Sequence, residues 1–212
     1  MDLGHPISSV IPGAYGDVLA VLARTDVWLS GRKVATLTRG QTSRRRVDAV
    51  LAALAKAGIA DVQEVPPAKL YRLNRHHVAA AGIEALASMR DCLLARLRDE
   101  LAKWRVLPEA AWLFGSAARG EAGSGSDIDL LLVRPTLTSA EDVDLWSGQI
   151  DGLRGRVREW SGNELEVLDL SADELRHLRD GSERLIDDLR SDAVVLVGSP
   201  VRNILGCRVE TR

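Results

Sequence analysis

The spacing of apolar residues in the first part of the chain predicts helices and then strands. Three helices are predicted at residues 14–25, 30–38 and 42–58, the last capped by Thr42 or Ser43 and closed by Gly58. In the third helix, apolar residues recur at steps of three and four: Val47, Val50, Leu51 and Leu54. Two strand-like runs follow, at residues 59–65 and 69–73, around Pro66-Pro67. The order predicts three helices followed by a β-hairpin.

A single apolar stripe then runs through residues 76–104 and predicts one long helix. The stripe consists of Ile83, Leu86, Met89, Leu93, Leu94, Leu97, Leu101 and Trp104. Because the helix begins where the hairpin ends, it is interpreted as a connector between two domains.

The second half alternates between strands and helices. Strands are predicted at residues 110–114, 128–133, 165–170 and 193–197. A long helix opened by Thr138 and Glu141 lies between the second and third strands, and Ser171 with Glu174 opens the next helix. Further helices are predicted at residues 182–190 and 201–205. We therefore predict an α+β fold with a domain at 1–77, a connector helix at 78–104 and a small mixed-sheet domain at 105–212.

Composition and charge exclude some classes of protein. The 212 residues are 46% apolar and 27% charged with a net charge of −2, so any nucleic-acid contact must come from a local basic patch. Cys92 and Cys207 lie far apart and neither has a metal-type spacing, as is usual for reduced thiols. No run suits a membrane span or a signal peptide. A cytoplasmic protein with no membrane partner is expected.

The N-terminal pattern resembles the winged helix-turn-helix domains of bacterial transcription regulators. The resemblance implies that the third helix enters the major groove of double-stranded DNA and that the hairpin contacts the backbone. The residues that would meet bases and phosphates are Gln41, Thr42, Ser43, Arg44, Arg45 and Arg46. Basic residues at a helix N-terminus oppose the helix dipole unless an anion is present. The alternative is a solvated helix start in a domain that contacts proteins.

The chemistry of the chain is concentrated between Phe114 and Leu130. A Gly115-Ser116 step is followed, after ten further residues, by Asp127 and Asp129 at the start of an apolar run. Alternate residues of a strand share a face, so the two carboxylates project together and repel each other unless a cation offsets them. Paired hard oxygens suit Mg²⁺, and a Gly-Ser turn that opens a short helix suits a phosphate.

This motif resembles that of the minimal nucleotidyltransferases of the DNA polymerase β superfamily, over roughly residues 104–200. Members include aminoglycoside nucleotidyltransferases and antitoxins that modify toxins with AMP. The resemblance implies that Gly115 and Ser116 bind the triphosphate of an NTP, such as ATP, and that Asp127 and Asp129 hold Mg²⁺. Arg119 and Ser126 also match the motif. Arg119 either neutralises phosphate charge or forms a structural clamp with Glu121 or Asp127.

The resemblance also implies a third carboxylate on a neighbouring strand. Glu166 and Asp169 are the candidates, and because they differ in parity only one of them can face the metals. Glu166 is favoured because it stands at the start of its strand. It would be the third metal ligand and the general base.

Two functions are consistent with the sequence. The first is an Mg²⁺-dependent enzyme that transfers NMP from NTP to a hydroxyl of a protein, an RNA or a small molecule. An antitoxin that acts on a partner protein is one such role, and a homo-oligomer is compatible with it. The second is a DNA-binding regulator whose nucleotidyltransferase-like domain only binds nucleotide or mediates interactions.

Overall fold

The computed structural model describes residues 1–38, 42–181 and 183–201. They form two compact units: Asp2 with residues 4–90, and Met1 and Leu3 with the described residues from Asp91 onwards. Almost all of the predicted helix at 201–205 lies outside the described residues. In the described part of the chain, no helix has the length and apolarity needed to span a bilayer.

The first unit contains the three predicted helices and the hairpin. After a 3-10 turn at Pro6–Ser9, the helices are α1 (Ala14–Ala23), α2 (Gly31–Leu37) and α3 (Arg44–Lys56). The strands are β1 (Leu29–Ser30), β2 (Ala60–Val65) and β3 (Ala68–Leu73), in the order β1-β3-β2 and all antiparallel. The predicted core face of α3 is confirmed, because Val47, Val50, Leu51 and Leu54 are buried. The winged helix-turn-helix assignment stays a prediction.

The predicted continuous helix at 76–104 is wrong at Ser88. The structure has α4 (Ala80–Ala87) and α5 (Met89–Leu101) instead. The Ser88 hydroxyl donates to the carbonyl of Glu84 at 2.8 Å, a bond back to the preceding turn that bends or ends helices. The boundary between the two compact units follows at once, between Arg90 and Asp91.

The second unit is built around a four-stranded mixed sheet. Its remaining elements are β4 (Ala110–Phe114), α6 (Gly115–Arg119), β5 (Ile128–Arg134), α7 (Ala140–Ser161), β6 (Leu165–Ser171), α8 (Ala172–Gly181), α9 (Glu183–Asp192) and β7 (Val194–Val197). The strand order is β6-β5-β4-β7, with β5 and β6 parallel and the other pairs antiparallel.

Both faces of this sheet are covered by helices. Leu130 and Leu132 pack with residues of α5 and α7, whereas Leu131 and Val133 pack with residues of α8 and α9. A strand buried on both faces needs a continuous apolar run, which explains why β5 does not alternate. The single exception near its start is Asp129, which is half-buried.

The helix starts differ in how well they follow the predictions. The predicted capping box of α8 is confirmed: Glu174 N–H donates to the Ser171 hydroxyl at 3.2 Å, and Ser171 N–H donates to the Glu174 carboxylate at 2.8 Å. At α7 the prediction of Thr138 is wrong by one residue, because Ser139 is the N-cap and its hydroxyl accepts from Asp142 N–H at 3.1 Å.

Candidate functional site

The register of two parallel strands brings Asp129 beside Glu166. The two residues are direct partners in the pairing of β5 with β6, and paired residues of neighbouring strands project from the same face. Asp127 precedes β5 by one residue and has the parity of Asp129. Asp127 and Glu166 are exposed, while Asp129 is half-buried. The predicted carboxylates therefore share one edge of the sheet, on the face that carries α8 and α9.

Asp169 lies on the opposite face of the sheet. It pairs with Leu132, which packs toward α7, and its Oδ2 accepts a hydrogen bond from the indole Nε1 of Trp146 at 3.0 Å. Arg134 Nη1 lies 3.4 Å from Asp169 Oδ1. Asp169 is thus a partner of a buried tryptophan and an arginine, and it does not face Asp129.

Two features favour a glycine at position 115: its backbone conformation and the Asp129 carboxylate that lies beside it. Phe114 pairs with Asp129 across β4 and β5, so the next residue begins α6 directly beside that carboxylate. Gly115 has φ +67°, and a Cβ built there would collide with Asp129 Oδ2. Only glycine satisfies both conditions, so the predicted triphosphate residue and the predicted metal ligand are packed against each other.

The charges of the site oppose the ionisation of Asp129. Burial raises the pKa of Asp129, the nearby carboxylates of Asp127 and Glu166 raise it further, and Arg119 acts in the opposite direction. Three of the predicted site residues therefore act electrostatically on a fourth, Asp129. A divalent cation would offset this accumulation of negative charge, and carboxylate oxygens are the donors that Mg²⁺ prefers.

The carboxylates of Asp127, Asp129 and Glu166 do not form a complete set of metal ligands in the structure. Within residues 1–38, 42–181 and 183–201, no group of three or more His, Cys, Asp or Glu side chains has the geometry to hold a metal ion. The donor chemistry fits Mg²⁺, and the fit rests on residue type, shared face and electrostatics.

Arg119 is held by acidic side chains at the end of α6. Its Nε donates to Glu121 Oε2 at 2.9 Å, and its Nη1 lies 3.6 Å from Asp192 Oδ2 on α9. The alternative clamp with Glu121 is therefore present. The sequence does not predict the contact with Asp192, because nothing in it indicates that α9 packs beside α6.

Ser126 has a local role in the loop before Asp127. Its hydroxyl accepts from Gly123 N–H at 3.0 Å, and its carbonyl accepts from the side-chain Nδ2 of Asn163 at 2.9 Å. Asn163 is buried and lies just before β6. No sequence pattern indicates its contact with Ser126, because the contact depends on the parallel pairing of β5 with β6.

The predicted DNA-binding residues surround the start of α3. Ser43 is the N-cap and is exposed, as are Arg44, Arg45 and Arg46, and Arg44 forms a 2.7 Å ion pair with Asp48. Thr42 is buried, and its hydroxyl donates to Asp17 Oδ2 at 2.5 Å, which leaves it no exposed donor for DNA. Gln41 lies outside the described residues.

The two strands of the hairpin carry as many acidic as basic side chains, and these side chains pair with one another. Lys69 Nζ lies 2.7 Å from Glu64 Oε1, and Arg72 Nε lies 3.0 Å from Asp61 Oδ2. The guanidinium of Arg72 also stacks 4.5 Å above the ring of Trp28. The basic residues of the hairpin are therefore paired with acids, whereas of the three arginines at the start of α3 it is Arg44 that pairs with Asp48.

Comparison with known proteins identifies the segment around the carboxylates. Residues 94–176 match the family model described as nucleotidyltransferase domain, a segment that includes β4, α6, β5, α7 and β6. The match supports nucleotidyl transfer as the chemistry of this segment. No curated protein matches the chain.

Among solved structures, the chain is similar to two toxin-antitoxin structures. One was solved with AMP-PNP: identity is 17%, the TM-score is 0.36, and the alignment covers 53% of this chain and 80% of that one. The other is a mutant of the toxin-antitoxin MntA-HpeT, with 14% identity, a TM-score of 0.35 and the same coverage. Both TM-scores are below 0.5, and the likeness therefore assigns neither a fold nor a partner to this chain.

Proposed function

We propose that the second unit is an Mg²⁺-dependent nucleotidyltransferase that moves NMP from an NTP, with ATP as the favoured donor, to a hydroxyl acceptor. The observation that carries the proposal is the pairing of Asp129 with Glu166, on one face and within the segment that matches the nucleotidyltransferase domain model. We also propose that the first unit is a winged helix-turn-helix that binds double-stranded DNA.

Each residue of the site has a proposed role. Asp127, Asp129 and Glu166 would hold Mg²⁺, which when bound supplies charge neutralisation at the phosphates. Gly115 lets the α6 backbone approach the triphosphate, and the Ser116 hydroxyl donates to a phosphate oxygen. Ser126 keeps the loop in shape for Asp127.

Glu166 is proposed to take the proton of the attacking hydroxyl. Glu166 and Asp127 are exposed, whereas Asp129 is half-buried, so an acceptor can reach Glu166 from solvent. Removal of a general base typically lowers the rate by about 10²–10⁴-fold.

Support for DNA binding comes from the position of charge in the first unit. Ser43, Arg44, Arg45 and Arg46 are exposed at the start of the helix that the sequence predicts to enter the major groove. The helix dipole adds positive potential at this end. The phosphates of DNA would offset both the charge of the arginines and the positive end of the helix dipole.

A second function is favoured by one observation. Arg119 is paired with Glu121 and Asp192, so its charge is already partly neutralised by the protein itself. A regulator that binds DNA and uses the second unit only to bind nucleotide or another protein would need no free arginine at the phosphates.

The acceptor is proposed to be a partner protein, as for an antitoxin that modifies a toxin. Both the NTP and the acceptor must approach the same edge of the sheet, where Asp127 and Glu166 are exposed. A second copy of the chain is compatible with this arrangement.

The proposal is tested by incubating the chain with Mg²⁺, each α-labelled NTP and the proteins encoded beside it. We expect label transfer that is lost in Asp127→Ala and Asp129→Ala. Glu166→Gln should lower the rate by about 10²–10⁴-fold. Asp169→Asn is the matched control, because it changes an acid on the same strand whose side chain lies on the opposite face, and it should keep most activity.

Failure to transfer any label to any acceptor, together with binding to DNA, would favour the regulator. Equal losses in Glu166→Gln and Asp169→Asn would show that the strand register does not determine the catalytic carboxylate.

A further inference from the structure

We infer that Asn163 is a positioning residue: it holds the motif loop, defined as residues 120–126, so that Asp127 is delivered to the start of β5. This inference rests on the proposed function, because it assigns Asn163 to the nucleotide site of that enzyme.

The motif loop has little to hold it in place by itself. It contains Gly120, Gly123 and Gly125, which lose the most backbone entropy when they are ordered, and Ala122 is its only buried residue. Two short contacts close a turn at its end: Ser126 N–H donates to the Gly123 carbonyl at 3.1 Å, and Gly123 N–H donates to the Ser126 hydroxyl at 3.0 Å. Neither contact ties the loop to the sheet.

Asn163 supplies such a tie. Its side chain is only 3% exposed, and its Nδ2 donates to the Ser126 carbonyl at 2.9 Å. Its backbone N–H donates to the Ser161 hydroxyl at 3.1 Å, which orients the residue after the turn at Gly162. Because the Asn163 side chain is buried, water cannot freely replace the hydrogen bond to the Ser126 carbonyl if that bond is lost.

The contact is placed by the parallel pairing of β5 and β6. Parallel strands begin at the same edge of a sheet, so the residue ahead of β6 meets the residues ahead of β5. Asn163 bonds to Ser126, and Ile128 N–H donates to the Glu164 carbonyl at 2.9 Å. These two bonds bracket Asp127 on either side in the sequence, which fixes its backbone relative to the strand that carries Glu166.

The loop is held at a second point by the segment at the start of the chain. Leu3 is 2% exposed and belongs to the same apolar cluster as Ala122 and Ile128. Its backbone N–H donates to the Ala122 carbonyl at 2.8 Å. The motif loop is thus tied at Ala122 by Leu3 and at Ser126 by Asn163, two residues remote from the motif in sequence.

The first experiment compares Asn163→Asp with Asn74→Asp in the full chain. In both residues Nδ2 donates to a backbone carbonyl. Oδ1 accepts from the Met1 ammonium at 2.7 Å in Asn163 and from His76 N–H at 3.1 Å in Asn74. The change keeps the acceptor, removes the donor and adds a negative charge, which at Asn163 lies beside that ammonium. Asn74 bonds to the Gly58 carbonyl at 2.8 Å in the other unit, which makes it the matched control. The readouts are amide hydrogen exchange of the motif loop and calorimetric titration with ATP in the presence of Mg²⁺.

We expect faster exchange across residues 120–126 in Asn163→Asp, and an ATP affinity about 10–100-fold weaker, the loss usual when a group that orients a metal ligand is removed. Asn74→Asp should change neither readout. Unchanged loop exchange in folded Asn163→Asp would overturn the inference, and so would faster exchange with wild-type affinity.

If Asn163→Asp does not fold, Asn163→Ala compared with Asn74→Ala gives the same test, because it removes the Nδ2 donor without adding a charge. Asn163→Ala should loosen the motif loop and weaken ATP binding, and Asn74→Ala should do neither. Equal loosening of the loop in both variants would overturn the inference.

The two proposals fail separately. A wild-type chain that binds no NTP with Mg²⁺ overturns the proposed function, and with it the role of Asn163 in nucleotide binding. The exchange measurement, which needs no ligand, then decides by itself whether Asn163 holds the motif loop.

Discussion

Asp129 is a residue at which stability and proposed function oppose each other. Burial and the carboxylates of Asp127 and Glu166 raise its pKa in the folded chain. As pH rises from below the unfolded pKa, the unfolded chain releases its proton first, so this group lowers the free energy of unfolding progressively. The penalty is complete above the folded pKa and absent at pH values below the unfolded one.

We therefore expect Asp129→Asn to raise the Tm at pH 7 in the absence of divalent cations, because the neutral amide removes both the cost of burying a charge and the repulsion from the neighbouring carboxylates. The gain should shrink as the pH falls toward the ordinary range of aspartate, where the wild-type carboxyl is itself protonated. Thermal unfolding measured across this pH range checks both points. A gain that does not depend on pH, or no gain at pH 7, would contradict the electrostatic explanation.

Gly115 shows how far the residue types alone can be interpreted. The sequence predicts a glycine that admits a ligand close to the backbone. In the structure, the space that a Cβ would occupy is already filled by the Asp129 carboxylate. The sequence could not indicate this, because Gly115 and Asp129 are brought together by the pairing of β4 with β5 and not by their spacing.

The choice between Glu166 and Asp169 had the same limit. Parity predicts that only one of them faces Asp129, but the register that selects it depends on pairing between β5 and β6. The structure also shows what the other acid does: Asp169 accepts from the buried indole of Trp146. A partner of that kind is not visible in a local pattern.

At the scale of elements, α7 shows how a cap determines a helix start. The sequence predicts a start at Thr138 with Glu141, and the structure begins the helix one residue later, with Ser139 as the N-cap. The Ser139 hydroxyl accepts from the Asp142 N–H, which would otherwise lack a partner within the helix.

Ser139→Ala should accordingly lower the free energy of unfolding by about 1 kcal/mol, the usual cost of losing a serine cap. Thr138→Ala, the neighbouring deletion, should cost less, because the Thr138 hydroxyl contacts only the exposed carboxylate of Asp142. Chemical denaturation of the two variants measures the difference. A larger loss of stability in Thr138→Ala than in Ser139→Ala would support the helix start at Thr138 that the sequence predicts.

Two features of the structure were not predicted from the sequence. Strand β1 is too short to be recognised, and the break between α4 and α5 depends on a local hydrogen bond. Strand β1 has two residues, too few for a period of two to be seen, and it is recognised only by its pairing with β3. The break between α4 and α5 interrupts an apolar stripe that continues through it, so periodicity alone predicts one helix. The stripes of α3 and of most of α7, in contrast, were predictable because one face of each is buried.

The start of α3 is the element on which the DNA proposal depends. Arg44 is paired with Asp48, while Arg45 and Arg46 are exposed beside it. Arg45→Ala should therefore weaken duplex binding and reduce the magnitude of the slope of log K against log salt by about 1. Arg44→Ala should reduce it less, because Asp48 already offsets that charge.

Titration of a labelled duplex at several salt concentrations measures these slopes. An Arg45→Ala slope equal to that of the wild type would count against this surface as the phosphate contact.

At the scale of the whole molecule, each unit has its own apolar core. One core contains the buried residues of α1 to α4 and their sheet, and the second unit has a core on each face of its sheet. The predicted connector at 78–104 is divided between the two units, because their boundary lies between Arg90 and Asp91. Met1 and Leu3 belong to the second unit, which a division by sequence range cannot show.

Leu51→Ala should separate the two units thermodynamically. Leu51 is fully buried in the first core, and its truncation should lower the stability of that unit by about 2–5 kcal/mol. Scanning calorimetry should then show one transition shifted to lower temperature, with ATP affinity in Mg²⁺ unchanged. A shift of every transition together would show that the two units unfold as one.

The tryptophans give the two units different optical signatures. Four of the five lie in the second unit, and Trp28 alone in the first. Trp104 and Trp146 meet edge to face, with ring centroids 5.3 Å apart and planes at 87°, a geometry in which two indoles couple electronically. The contribution of this pair to the near-ultraviolet circular dichroism therefore reports the packing of α7 against the turn that follows α5. The emission of Trp28, stacked under Arg72, reports the hairpin.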